Sequence, residues 1–149
     1  MIAVDTNVLV FAHRTEAPLH QEAVGWLVHL AEGGVPWGLP VFCLGEFVRV
    51  VTHRNLFAPP STLDQATAAL KSLLVSPSIR VLNPGAGFFA HFQRMLQAGG
   101  AAGNLAFDAQ IAAVCREHGV DTLLTDDRDF DRFQELATIS PATSPGSAC

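Results

Sequence analysis

Short apolar runs alternate along this chain with longer stretches in which apolar residues return every three or four positions. The first run, Ile2-Ala3-Val4, reads as a buried strand that stops at Asp5-Thr6-Asn7. Val8 to Phe11 is apolar throughout and fits a helical turn. From Glu16 to Glu32 the period becomes helical, with Ala23, Trp26, Leu27 and Leu30 on one stripe and Gly33-Gly34 as the stop. Val35 to Leu39 predicts a short strand, and Pro40 opens a strongly apolar helix that runs to about Thr52. Pro59-Pro60-Ser61 marks a loop, after which Ser61 or Thr62 caps a helix ending near Val75. Ile79 to Leu82 is the next strand, followed by a helix from Pro84 to Gln97 that Gly99-Gly100 ends. Gly103-Asn104 caps a helix with Phe107, Ile111 and Val114 on its stripe, ending at Gly119. Val120 to Leu124 and Ala137 to Ile139 complete the strands, and Ser140 to Cys149, rich in Pro, Ser, Gly and Ala, reads as a flexible tail.

Strands that alternate with helices predict an α/β domain whose mainly parallel sheet carries helices on both faces. No repeat or linker divides the chain, so residues 1–139 are expected to form one domain. In such sheets chemistry gathers outside the carboxyl ends of the strands. Residues just past those ends therefore become the candidates.

Composition narrows the field. With 149 residues, 49% of them apolar, the chain is long enough for one sizeable core and too apolar to be disordered. Its richest apolar stretch, Leu39 to Val51, is broken by Pro40, Glu46 and Arg49, which argues against a membrane span. The opening MIAVD lacks the basic start of a secretion signal, and Cys43, Cys115 and Cys149 share no metal-like spacing, so a cytoplasmic protein is expected. The net charge is −5, and five of the fourteen acids fall between Asp126 and Glu135. A general electrostatic grip on nucleic acid is therefore excluded.

Four acids stand out by position. Asp5 and Asp127 follow apolar strands, Glu46 is the only acid between Pro40 and Thr52, and Asp108 lies four residues after Asn104 on the same helical face. Each has a plain structural reading: Asp5 as a helix cap, Glu46 as a partner for Arg49, Asp108 as a complement to the helix dipole, and the Asp126–Asp131 run as a solvated loop. Parallel strands would bring all four to one sheet edge. Burying several carboxylates without cations is costly, and only Arg128 lies inside the acidic run. Clustered oxygen donors suit a hard cation, Mg²⁺ or Mn²⁺, and the chemistry of phosphate oxygens.

Several phosphate-handling classes are absent. There is no GxxxxGK[ST] loop, the first strand ends D-T-N rather than D-x-D, and Lys71, the only lysine, is out of place for a receiver domain. The six histidines show no HxH or HExxH spacing, which removes zinc. Metal-dependent hydrolysis of a phosphodiester is what remains.

Val4-Asp5-Thr6-Asn7-Val8-Leu9-Val10, the lone Glu46, Gly103-Asn104-Leu105-Ala106-Phe107-Asp108-Ala109 and Leu124-Thr125-Asp126-Asp127-Arg128-Asp129-Phe130 together resemble PIN-domain ribonucleases. They are most similar to the VapC toxins of mycobacterial toxin–antitoxin pairs. The likeness spans Met1 to about Leu136. It implies a PIN-like fold of about five strands and an endoribonuclease that needs Mg²⁺, with Mn²⁺ as a substitute. Metal-activated water would hydrolyse RNA to 5′-phosphate and 3′-hydroxyl ends.

On the family pattern Asp5, Glu46, Asp108 and Asp127 are the catalytic and metal-holding acids, with Asp129 or Asp126 as further candidates for the fourth ligand. Thr6, Asn7, Asn104 and Thr125 would orient them, and Arg14, Arg49, Arg54 and Arg128 are candidates for the RNA backbone. The resemblance also implies a homodimer, a cognate VapB-like antitoxin forming a heterotetramer or larger assembly, and a tRNA or rRNA target. Apolar residues on the helices from Glu16 and Pro40 would line the antitoxin groove. The alternatives are a PIN-like protein that binds RNA or a partner without cutting, and a ligand-binding regulatory domain. A filled set of core acids counts against the first, and the absence of a glycine-rich strand-to-helix turn against the second.

Overall fold

Strand β1 (Ile2–Val4) lies at the centre of a sheet in which every neighbouring pair is parallel. With β2 (Trp37–Pro40), β3 (Ile79–Leu82), β4 (Thr122–Leu124) and β5 (Ala137–Ile139), the order is β3-β2-β1-β4-β5. The computed structural model describes residues 1–147. All four residues of β2 are buried. Successive side chains on a strand face opposite ways, so helices must cover both sides of the sheet, as the alternating pattern implied.

Six helices connect the strands: α1 (Thr6–His13), α2 (His20–Glu32), α3 (Phe42–Val51), α4 (Leu63–Leu74), α5 (Phe88–Gly99) and α6 (Leu105–Glu117). Helix α1 is longer than the turn expected from Val8, because the Asp5 side chain accepts from Thr6 N and starts it two residues earlier. Helix α2 starts at His20 rather than Glu16, after turns that run through Pro18. Pro40 belongs to β2, paired in register with Leu82, instead of opening α3. Thr62, not Ser61, caps α4, in a capping box with Gln65. Helix α5 starts at Phe88 instead of Pro84, because Gly85 N and Gly87 N each donate to the Glu117 carboxylate at 2.9 Å. Asn104 is helical in backbone and makes no side-chain cap, so α6 begins after a turn through Gly103, whose φ is +61°.

Helix α6 carries the buried run from Ile111 to Cys115 and packs on β2, α3 and α5. Cys43 and Cys115 are fully buried, as small core hydrophobes. The expected free tail is anchored instead over its described part. Trp26 Nε1 on α2 donates to Thr143 O at 2.7 Å and to Pro141 O at 3.2 Å, and Pro141 is buried. Ala148 and Cys149 lie outside the described residues.

This order positions the site. The chain winds outward from β1 to β3, then crosses back to β4 on the other side of β1. Connections leaving β1 and β4 therefore diverge, opening a crevice at their carboxyl ends. Asp5 N bonds Leu124 O at 3.0 Å across that point.

Trp26→Phe keeps the apolar ring in place and removes both hydrogen bonds. It should cost about 1–2 kcal/mol in denaturant unfolding and speed amide exchange after Ser140.

Candidate active site

Asp5 is the first residue past β1 and is only 4% exposed. Its Oδ1 accepts from Thr6 N at 2.7 Å, and its Oδ2 accepts from Thr125 Oγ1 at 2.7 Å and Asn7 Nδ2 at 2.9 Å. A carboxylate offers roughly four lone-pair sites, so these bonds leave about one free. Burial pushes the Asp5 carboxyl up to about 7, against the hydrogen bonds from Thr125 and Thr6 that favour its charge, while the charges of Glu46 and Asp108 raise it further.

Thr125, the residue after β4, organises the facing side. Its Oγ1 donates to Asp5 and accepts from Asn7 Nδ2 at 2.9 Å and from Asp127 N at 3.0 Å. Thr6 Oγ1 donates to Glu46 Oε2 at 3.0 Å, which ties α1 to the second turn of α3. Asp127 Oδ1 accepts from Asp129 N at 2.8 Å and so caps the 3₁₀ turn Arg128–Arg132. Three of the four positions expected to orient the acids do make such bonds. Asn104 is exposed and borders the adjoining cavity without a bond to an acid among the described residues.

Asp5, Glu46, Asp108 and Asp127 all border one cavity of about 340 Å³. Oxygens of Asp108, Asp127 and Asp129 lie within 4.8 Å of one another. Burial, then the charges of Asp127, Asp129 and Glu46, push Asp108 up to about 6, and Arg132 opposes the rise. Asp126 stands apart, since its Oδ1 faces Ser140 Oγ at 3.4 Å and its backbone N–H binds Asn7. Of the three candidates in the acidic run, Asp127 and Asp129 join Asp108 and Asp126 does not.

A second cavity of about 660 Å³ shares Glu46 and Asp108 with the first and adds Arg49, Phe107, Gln110 and Asp129 among its walls. Arg49 is exposed and lies 3.6 Å from Glu46, a loose surface pair worth little. Arg54 and Arg128 are exposed and border neither cavity. Arg14 is committed to Glu16, Ser61 and Pro59. Arg132 is the cation that sequence reasoning missed. Its Nη2 lies 3.5 Å from Asp129 Oδ1, three residues back, a spacing that could have flagged it.

A divalent cation fits these residues on their own chemistry. Hard oxygen donors crowd together, and burial and neighbouring acids push two of the carboxyls toward the protonated form, which a bound cation would reverse.

A PIN-domain family model matches residues 2–136. The chain belongs to the PIN-domain family. Within that family it is 39% identical to Ribonuclease VapC43 of Mycobacterium tuberculosis, over 95% of both chains, which makes it a VapC-family protein. Its fold matches that in the crystal structure of VapBC2 from Rickettsia felis bound to a promoter DNA fragment, with a TM-score of 0.67 and 20% identity over 94% of this chain and 98% of that one. It also matches Mycobacterium tuberculosis VapC20, a Sarcin-Ricin loop cleaving toxin, with a TM-score of 0.65 and 21% identity over 88% and 93%. The expected five-stranded PIN-like fold is thus found in full.

Raised carboxyl pKa values fix the sign of a pH effect. Between about pH 4 and 7 the folded VapC-family chain holds protons on Asp5 and Asp108 that the unfolded chain has already lost. Their contribution to stability is therefore complete below the ordinary carboxyl range and lost as pH rises through 6 to 7. Thermal melts in chelator should show Tm falling from pH 5 to pH 8. Asp108→Asn removes one repelling charge and should melt at the same or a higher temperature than wild type at pH 8.

Proposed function

We propose that the acidic cavity is the active site of a toxin endoribonuclease, in which Asp5, Glu46, Asp108 and Asp127 hold a divalent cation, with Asp129 beside them. The observation that carries this reading is the meeting of all four acids on one cavity at the switch point of the sheet. When bound, Mg²⁺ or Mn²⁺ would polarise the phosphate and lower the pKa of water. The family resemblance implies that the P–O3′ bond breaks, with the 3′-oxygen leaving as a hydroxyl and the phosphate staying on the 5′ side.

The chain's own residues supply orientation and proton control. Thr125, Thr6 and Asn7 lock the Asp5 carboxylate where it borders the cavity. Thr6 restrains Glu46 in the same way. Asp5 and Asp108, with carboxyls near 7 and 6, give up protons as a cation arrives, so metal affinity rises with pH. Arg49, on the wall of the larger cavity, is placed to meet an RNA phosphate.

The partner we propose is a VapB-like antitoxin, in a heterotetramer or larger assembly around a homodimer of this chain, and the RNA target is tRNA or rRNA. The toxin–antitoxin solved structures that share its fold support an antitoxin. Helix α2 leaves Val24 and Val28 exposed one turn apart, apolar surface of the kind an antitoxin would cover. Among the described residues no helix is long and apolar enough to cross a membrane.

New 5′ ends mapped across total RNA should appear with the purified protein and Mn²⁺, and vanish with EDTA or with Asp5→Ala. Ends common to wild type and mutant, or no ends from antitoxin-free protein, would sink the nuclease reading. Thr125→Val, which strips three bonds from the site but no acid, should lower cleavage about 10- to 100-fold. Titrating Mn²⁺ by calorimetry should show tighter binding at pH 8 than at pH 6, with protons released.

A further inference from the structure

The 340 Å³ cavity is lined by two kinds of residue, its acids and the apolar Val10, Phe11, Val50, Leu56 and Phe57. In a phosphodiester substrate the phosphate is charged and the ribose hydroxylated, so only the faces of a nucleobase match an apolar, partly aromatic wall. Phe57 is half-buried and Leu56 is 54% exposed, both on the loop between α3 and α4.

That loop has little structure of its own. Leu56 N and Phe57 N both turn back to His53 O, at 3.1 and 3.3 Å. Its far end is held by Ser61, whose N donates to Val51 O at 2.8 Å and whose Oγ lies 2.9 Å from His13 Nε2, and the stretch that carries Phe57 and Pro59 is tied to α1 by one side chain. Arg14 Nη2 donates to Pro59 O at 2.9 Å, Arg14 Nη1 donates to Ser61 Oγ at 3.0 Å, and the guanidinium lies 4.5 Å above the Phe57 ring. Glu16 grips Arg14 from behind through Nε and Nη2. Four of the five guanidinium donors are thereby used, and the side chain is only 13% exposed. Arg14 is also the C-terminal cap residue of α1, whose N-terminal cap is Asp5. One helix thus carries an acid of the site at one end and the clamp on its wall at the other.

We propose that Arg14 is a positioning residue which touches no RNA and holds Phe57 and Leu56 as the wall on which the nucleobase beside the scissile phosphate packs. This role rests on the nuclease reading of the same cavity.

Binding is measured by anisotropy of a labelled mixed-sequence RNA of about ten nucleotides, in an Asp5→Asn background that cannot cleave. Arg14→Met should weaken binding about tenfold, the size of one base–aromatic stack, and leave the salt slope unchanged. Arg14→Lys should fail to rescue, because an ammonium lacks the fork that joins Pro59, Ser61 and the ring. Phe57→Leu should weaken binding equally, and the double variant no further. Amide exchange over residues 53–61 should quicken in Arg14→Met while the sheet stays protected.

Rescue by Arg14→Lys, or a salt slope reduced by about one, would make Arg14 a phosphate contact and overturn the proposal. Additive losses would overturn it too. So would a Phe57→Leu protein that binds RNA normally and only an antitoxin more weakly. Failure of the Asp5→Asn protein to bind RNA at all would strike instead at the nuclease reading, which the 5′-end mapping tests separately.

Discussion

A carboxylate buried where two parallel strands part company is the constraint from which the rest of this site follows. Asp5 cannot stay charged in that position on its own, since desolvation opposes ionisation and the nearby acids make it worse. The fold answers with Thr125, Asn7 and the start of α1, which supply donors from two directions. These partners only partly offset the burial. What remains is a carboxyl pushed toward its protonated form beside a cavity that three other acids border, the feature on which the proposed cation site rests.

The hydrogen-bond network couples elements far apart in sequence. Thr125 joins β4 to β1 and to the loop bearing Asp127, while Thr6 joins α1 to α3 through Glu46. Asp129 is balanced by Arg132 on its own 3₁₀ turn, and no comparable cation reaches Asp5 among the described residues. The arrangement therefore grades the acids, with the greatest electrostatic penalty at the most buried one. On the proposed reading, an acidic protein acts on a polyanion because the attraction is local, through a cation and exposed Arg49, rather than through its net field. Arginine count alone misleads here. Arg14 spends its donors on Glu16, Pro59 and Ser61, whereas Arg49 stays exposed on the cavity wall.

Much of this was legible in the order of residues. Strand-ending acids, an isolated helical Glu46 and an acid one turn into α6 were visible because parallel α/β topology sends strand ends to one edge. Boundaries were less legible where a local rule had two outcomes. Pro40 can open a helix or end a strand, and its pairing with Leu82 decided for the strand. Pro84 faced a similar choice, settled by the distant Glu117 carboxylate binding the backbone of Gly85 and Gly87. The segment after Ser140 carries the composition of a loose end, yet the indole of Trp26, buried in the core, needs an acceptor and finds Pro141 and Thr143.

Sequence by itself determined the alternation of strands and helices and the family-like set of acids, because each depends on local periodicity or residue type. Tertiary structure alone decided which acid of the 126–129 run joins Asp108, since residues adjacent in sequence fall on different sides of a turn. Ser140 draws Asp126 away, while Asp127 and Asp129 converge. It also decided that Arg14 is bound to Pro59 and Phe57 while Arg49 stays exposed in a loose pair with Glu46, a difference set by which partners the folded chain brings within reach of a guanidinium. Long polar side chains take their roles from such distant neighbours, and no spacing along the chain encodes them.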